Sequence, residues 1–369
     1  MAYSEGQKYW IWLASVYGLG AKRFDTLVRH CGPPQRIWEE AGDWMENIIG
    51  RAAFTALLEA RSARYLDELF AQIEACGAVA VTREDDEYPA GLRTIPDPPP
   101  VLFVRGRAAL SEPRALAIVG ARNCSAYGTR MARTIARSLS CAGVTVVSGL
   151  ARGIDGAAHR GAVDMHARTV AVLGSGVDVL YPAEHQTLAR EILDNGGSIV
   201  SELRPGTPPT PRHFPARNRI ISGLSDGVLL VEGAKRSGAM TTITFAVEQG
   251  RDVLALPGQA DSPLSAATHT LIREGARLVT GAADILEDMK WPCAATPPPL
   301  RTAALLPLTQ GEQRVWNALA GGPVDGDALL EAAGLPPPEL NSLLTIMELQ
   351  GLIKKLPGRK IERNAMLEE

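Results

Sequence analysis

The apolar positions change their period three times along the chain. Over residues 1 to about 75 they recur at helical spacing. Trp12, Leu13, Val16 and Leu19 lead into Gly18-Leu19-Gly20, after which Phe24, Leu27 and Val28 resume the stripe. From Cys76 the pattern becomes short β-rich runs. Ala78 to Val81 and Val101 to Val104 flank a loop with Tyr88-Pro89 and Asp97-Pro98-Pro99-Pro100, which cannot be helical. A repeating unit follows, with apolar runs at Leu116 to Val119, Val144 to Val147, Thr169 to Leu173, Ser198 to Val200, Val228 to Val231 and Val253 to Leu256. Helix-length segments separate these runs; in the first of them Met131, Ile135 and Leu139 mark one face. Continuous apolar strands alternating with amphipathic helices predict an α/β, Rossmann-like, doubly wound and mainly parallel sheet covered on both sides.

Beyond about residue 290 the pattern shifts again. Pro292 and Pro297-Pro298-Pro299 read as a linker, followed by helical segments at about 310 to 320, 325 to 333 and 337 to 350. Leu340, Leu343, Leu344 and Met347 stripe the last of these, and Leu352 to Ile361 reads as two strands around a Pro-Gly turn. Three helices and a hairpin predict a winged helix-turn-helix. The expected domains are thus 1–75 (helical), 76–290 (sheet), 291–305 (Pro-rich linker) and 306–369 (winged helix). The Gly18-Leu19-Gly20 turn fits a helix-hairpin-helix or SAM-like unit that presents backbone amides to phosphates, and equally a tight turn between packed helices. The recognition helix of the winged unit, Pro336 to Ser342, carries almost no positive charge, so Lys354, Lys355, Arg359 and Lys360 in the wing would have to supply any DNA contact. A protein-contact role for this unit stands equally open.

Composition narrows the class. With 369 residues, 46% apolar and 21% charged, the chain should be globular and multi-domain. A net charge of −3 gives no basic signature overall, so any nucleic-acid surface must be local. Cys31, Cys76, Cys124, Cys141 and Cys293 are scattered without a CxxC pair, which predicts reduced thiols in a cytoplasmic protein with neither zinc site nor disulfide framework. The first residues lack the basic start and apolar core of a signal peptide, and no run of 18 apolar residues occurs.

Local basicity appears at one edge of the predicted sheet. Parallel strands end together, so the loops after them converge: Gly120-Ala121-Arg122, Ser148 to Gly153, Gly174-Ser175-Gly176, Ser201 to Gly206, Glu232 to Gly238 and Pro257-Gly258. These loops and the segment after the fourth run collect Arg122, Arg152, Arg204, Arg212, Arg217, Arg219, Lys235 and Arg236. Within that set, His213-Phe214-Pro215-Ala216-Arg217-Asn218-Arg219-Ile220-Ile221 places a ring, an amide and two guanidinium groups side by side. Arginine forks onto phosphate oxygens, and a phenyl face can receive a base. Phe214 either stacks on a base or packs in the core.

Enzymatic chemistry finds little support. The dinucleotide fingerprint G-x-G-x-x-G is missing after the first parallel strand, no G-x4-G-K-[ST] run occurs, and there is no G-x-S-x-G nucleophile turn leading from a strand into a helix. Asp155 and His159 are four apart but lack a third ligand or a nucleophile, so Asp155 reads as a helix-start residue that orients an arginine and His159 as a hydrogen-bonded packing residue. Glu202 and Glu232 close strands, where isolated carboxylates hold arginines in position. No catalytic residue, metal site or cofactor is therefore expected. A single-stranded polyanion fits a sheet-edge crevice of glycine turns and arginines better than a duplex does. The rival is a nucleotide-handling enzyme such as a nucleoside-monophosphate phosphoribohydrolase, whose P-G-G-x-G-T-x-x-E run has no match here.

Five motifs in order carry a resemblance: Ala117 to Arg122 with Ser125 and Tyr127-Gly128; Val147 to Asp155 with Ala158-His159; Ala171 to Gly176 with Asp178 and Tyr181-Pro182; Phe214 to Ile221; and Gly250 to Val253 with Pro257-Gly258. Over about residues 77 to 290 the chain resembles the DNA-processing protein A (DprA, also called Smf) family. The resemblance implies a non-enzymatic, homodimeric binder of single-stranded DNA that protects incoming strands and helps load the RecA recombinase during competence and natural transformation. It also implies a pocket of Ser148, Gly149, Arg152, Gly174, Gly176, Phe214, Arg217, Asn218 and Arg219, with Arg122 on a phosphate and Lys235 alongside. After Ser237-Gly238 the chain has Ala239-Met240-Thr241-Thr242 where the family pattern has a serine-leucine-isoleucine run, so no partner contact is carried over to that helix.

Overall fold

The computed structural model describes residues 3–107, 110–292, 309–319, 324–349, 352–356 and 360–363. The chain divides into two compact units, Met1–Pro297 and Pro298–Glu369.

The first unit is built on a nine-stranded sheet of β1 (Ala78–Thr82), β2 (Val101–Gly106), β3 (Ala115–Val119), β4 (Thr145–Ser148), β5 (Thr169–Val172), β6 (Ser198–Ser201), β7 (Gly227–Leu230), β8 (Asp252–Ala255) and β9 (Arg277–Leu278). Their order is β1-β2-β6-β5-β4-β3-β7-β8-β9. From β6 to β9 every pairing is parallel. β1 and β2 add an antiparallel edge beside β6. Every residue of β3, β4, β5, β6 and β7 is buried, as continuous apolar runs require when helices cover both faces. The chain leaves β3 toward β4, β5 and β6, then returns to the other side of β3 as β7, so the strand order reverses next to β3. Open α/β sheets place their crevice at such a reversal, outside the strand C-termini.

Helix Ala126–Cys141 shows how the sequence sets its own geometry. Ser125 caps it by accepting from the Gly128 amide, and Ile135 and Leu139 are buried against the sheet. Glu232, at the end of β7, accepts from the Ser125 amide at 2.9 Å and its hydroxyl at 2.5 Å. A side chain at Gly128 would overlap that carboxylate, so glycine is required for the close approach. This corrects the reading of Glu232 as an arginine holder, because its oxygens serve a helix start.

Residues 5 to 75 form helices Glu5–Ala14, Gly20–Cys31, Pro34–Glu40, Glu46–Ile49, Arg51–Ala60 and Ala63–Ala75 around Trp12, Leu13, Phe24, Leu27 and Leu57. Gly18 and Gly20 hold φ of +77° and +53° in the turn between the first two. Ile11, Leu69 and Ile73 carry the packing on to Phe103 and Ile199 of the sheet.

The second unit holds helices Gln310–Ala318, Gly326–Ala333 and Pro337–Leu349 with β10 (Val324–Asp325), β11 (Ile353–Leu356) and β12 (Lys360–Arg363), ordered β10-β12-β11. Leu340, Leu344 and Met347 are buried with Val315, Leu329 and Ile361, which is the expected winged-helix core. Lys360 is exposed, while Arg359, with the side chains of Lys354 and Lys355, lies outside the described residues. So do residues 293–308, which include Cys293 and most of the expected linker. Cys31, Cys76, Cys124 and Cys141 are free. Among the described residues no helix is long and apolar enough to cross a membrane, and no cluster of three metal-ligating side chains occurs.

Candidate nucleic-acid interface

The strand ends generate a cleft over β3, β4 and β5, lined by Arg122, Gly149, Ala151, Arg152, Tyr181, Pro182 and Phe214. It encloses about 320 Å³ including its open mouth. One wall is aromatic. Phe214 lies in the first turn of helix His213–Gly223, half-buried, with its ring 5.6 Å from that of Tyr181, which is 42% exposed. The exposed Arg122 guanidinium lies 5.1 Å from the Phe214 ring centroid, within cation–π range. Phe214 thus lines the cleft wall and belongs to no buried core cluster.

Arg217, one helical turn beyond Phe214, enters from behind. It is 4% exposed and its guanidinium packs so closely on Gly149 that any side chain at 149 would overlap it. Nη1 donates to the Val172 carbonyl, while Nε is buried without a partner. Burial pushes its pKa down to about 10 against the opposing pull of Asp155, and the like charge of Arg122 adds to the depression. Arg217 therefore remains a cation at neutral pH, and it feels a second cation across the cleft floor.

Asp155, in the first turn of helix Ile154–Val163, accepts from the Gly149 amide at 3.2 Å, with the Ala151 amide nearby. Burial raises its pKa, opposed by Arg217 and by those two amides. His159 sits a turn further on, fully buried, with Nδ1 2.8 Å from the Thr169 hydroxyl. That hydroxyl donates its own proton to the Val146 carbonyl, so the imidazole donates through Nδ1. His159 matches its expected packing role; Asp155 opens the helix as expected, but its hydrogen bond goes to a backbone amide and it forms no ion pair with an arginine among the described residues.

The burial of His159 has a consequence for stability. Desolvation, helped by the nearby charges of His185 and Arg217, pushes its pKa down to about 3. An unfolded histidine titrates near 6.5, so between pH 6.5 and 3 the unfolded chain binds a proton that the native state refuses. Stability is therefore lost as pH falls through this window, by about 2 kcal/mol between pH 6.5 and 5. Urea midpoints at pH 7 and pH 5 should fall further in the parent than in His159→Asn, which keeps a donor toward Thr169. Equal losses would mean that His159 is not neutral in the fold.

The other expected site residues separate. Arg152 is on the rim, held by Glu184 through two hydrogen bonds of 2.7 and 2.8 Å. Gly174 lies beneath Phe214, where a Cβ would stand 3.0 Å from the ring. Ser148 is fully buried and donates to the Ile118 carbonyl at 2.6 Å, tying β4 to β3. Gly176 donates to the Thr207 carbonyl at 2.9 Å and packs on the Arg204 carbonyl. Asn218 reaches the Gly238 carbonyl at 3.3 Å. Lys235 is exposed in the loop after β7 and does not line the cleft. Arg219 corrects the expectation most sharply. It is 5% exposed, and its two Nη atoms donate to Glu202 at 2.7 and 2.6 Å while Nε donates to the Asp97 carbonyl at 2.9 Å. Its fork is already filled by a carboxylate. Tyr181 and Pro182, quoted in the third motif but not assigned to the pocket, enter as wall residues, and their place after a glycine turn on the same edge was the available signal.

A family model described as DNA recombination-mediator protein A matches residues 79–290, and one described as DprA winged helix domain matches residues 297–359. Protein Smf of Escherichia coli is 41% identical over 282 residues, covering 75% of each chain. A putative DNA processing protein DprA of Mycobacterium tuberculosis is 37% identical over 95% of this chain and 92% of its own. Among solved structures, DprA of Streptococcus pneumoniae superposes with a TM-score of 0.66 at 34% identity, covering 78% of this chain and 99% of that one. DprA of Helicobacter pylori, described for its single-stranded DNA binding mode, gives a TM-score of 0.52 at 28% identity over 57% and 95%. A parallel sheet with its crevice at the strand ends, a winged-helix unit and relatives that span nearly the whole chain converge: the chain belongs to the DprA/Smf family of DNA recombination mediators.

Proposed function

We propose that the sheet-edge cleft binds single-stranded DNA without cleaving it. The observation that carries this reading is a small cleft with an aromatic wall, lined by Arg122 and backed by Arg217, whose buried guanidinium packs against the floor residue Gly149. Neither guanidinium forms an ion pair among the described residues, and the charge of Arg122 depresses the pKa of Arg217. A phosphate between them relieves that repulsion, and a base on Phe214 and Tyr181 extends the aromatic contact. The single-stranded DNA binding described for the Helicobacter pylori relative agrees with this reading. The carboxylates nearby are occupied, Glu202 by Arg219, Glu232 by Ser125 and Asp155 by the Gly149 amide, which favours a binder over a hydrolase.

The finer role follows the family. The protein acts in the cytoplasm as a homodimeric mediator that protects incoming single strands and delivers them to RecA, in cells that take up DNA. Residues 76–290 bind the strand, with 1–75 and the winged helix at 306–369 as accessory domains across the 291–305 linker. Side-by-side gel shifts with single- and double-stranded oligonucleotides test the core of this, and a duplex preference would overturn it. For the RecA role, faster onset of RecA ATP hydrolysis on protected single strands is expected; no change would remove that part. Phe214→Ala should weaken single-strand binding by about 1 to 3 kcal/mol with little change in salt slope. A lowered melting temperature with intact affinity would return Phe214 to a packing role.

A further inference from the structure

The cleft floor holds a backbone conformation that its own residue disfavours. Leu150 has φ of +54°, the left-handed region in which a side chain crowds the following carbonyl. Its side chain is fully buried with Ala171, Leu173 and Val177, so the turn cannot relax by moving Leu150 into solvent. Its neighbours Gly149 and Ala151 both line the cleft. Such a turn persists only where surrounding contacts over-determine it.

Two contacts do so. Asp155 takes the Gly149 amide at 3.2 Å, and the Ala151 amide is near enough to favour its charged form. His185 takes the carbonyl between them, with Nδ1 2.9 Å from the Leu150 oxygen. A carbonyl only accepts, so the half-buried imidazole carries its proton on Nδ1 and donates it. The far edge of the ring lies over Gly156, where a Cβ would stand 2.6 Å from Cε1, so glycine leaves the room the ring occupies. His185 itself does not line the cleft, yet it closes the short turn Ala183–His185 that directly follows the wall residues Tyr181 and Pro182. One hydrogen bond thereby joins the segment that supplies the wall to the segment that supplies the floor.

We infer that His185 is a positioning residue for the cleft: by donating to the Leu150 carbonyl it keeps the Gly149–Ala151 floor in register with the Tyr181–Phe214 wall, and it makes no contact with the strand. The inference rests on the reading of the cleft as a single-stranded-DNA site.

The test uses the full chain with His185→Ala, His185→Asn and His185→Gln. The Asn amide nitrogen reaches the place of Nδ1, whereas Gln carries its donor one carbon further out. Affinity for a single-stranded oligonucleotide is measured across a salt series, with melting temperature alongside. His185→Ala should bind about ten-fold more weakly, the effect of leaving one buried carbonyl without its donor. Its salt slope should match the parent, because no phosphate contact is lost. Asn should stay within about two-fold of the parent and Gln should resemble Ala, since only the donor position differs.

Parent-like affinity in the Ala variant, an Asn variant as weak as Ala, or a shallower slope would each overturn the inference. Should the Ala variant not fold, equal affinities of Asn and Gln would overturn it alone. A parent chain that binds, weakened by Phe214→Ala while the His185 variants are unaffected, removes the positioning role and leaves the DNA reading intact. A parent chain that does not bind single strands removes both.

Discussion

Arg217→Ala should weaken single-stranded DNA binding by about thirty-fold or more, across all sequences, and flatten its salt dependence. The guanidinium is 4% exposed, its Nε has no partner, and it forms no ion pair among the described residues. Removing a buried, hydrogen-bonded charge from an interface typically costs 2–5 kcal/mol, which sets the size of the loss. The slope of log affinity against log salt should shrink by about 0.7, the share of one phosphate on a single strand. Arg217→Gln keeps a donor toward the Val172 carbonyl and loses only the charge, so it should reproduce the slope change with less effect on folding. Lysine is expected to restore the slope but not the full affinity, because a point charge lacks the fork. Weaker binding with an unaltered slope would assign Arg217 to shaping Gly149 and the cleft floor instead of holding phosphate.

The sequence made the sheet legible because buried parallel strands leave continuous apolar runs, and these predicted β3 to β8 to within a residue or so at each end. It missed β9, where Arg277 and Leu278 are both exposed and the strand is only two residues long. At the site, sequence reading located the edge on which the arginines gather but not which way each one turns. Arg217 and Arg219 are two apart on one helix, and that spacing sends them to different sides, one onto Gly149 and the other onto Glu202. The partner that decides the role of Arg219 lies 17 positions earlier, at the end of β6, and only the folded sheet brings it near. Ser148 failed for a similar reason. Glycine turns make a loop look open, yet the last strand residue before one still points into the sheet.

Glu202→Ala should lower folding stability by about 3–5 kcal/mol, since it strands a buried arginine. Arg219 and Glu202 side chains are 6% and 18% exposed, and two parallel N–H···O bonds hold them. Burial opposes the Arg219 charge, but Glu202, together with Asp97 and Tyr88, outweighs that and lifts the arginine pKa above its ordinary value. Without the carboxylate, the remaining acceptors are the Asp97 and Ala216 carbonyls and a carboxylate oxygen of Asp97 at 3.7 Å, too few to replace a bidentate partner. Replacing both members with apolar residues, Glu202→Leu with Arg219→Met, should recover most of the loss, because a packed apolar pair avoids the desolvation cost altogether. Urea unfolding of the two singles and the double closes the cycle. The salt slope of single-strand binding provides the second readout, and it should be the same in the double variant as in the parent, because Arg219 already has its anion within the fold. A slope reduced by about 0.7 in the double would show that Arg219 leaves Glu202 for a phosphate when DNA binds, and would restore it to the binding surface.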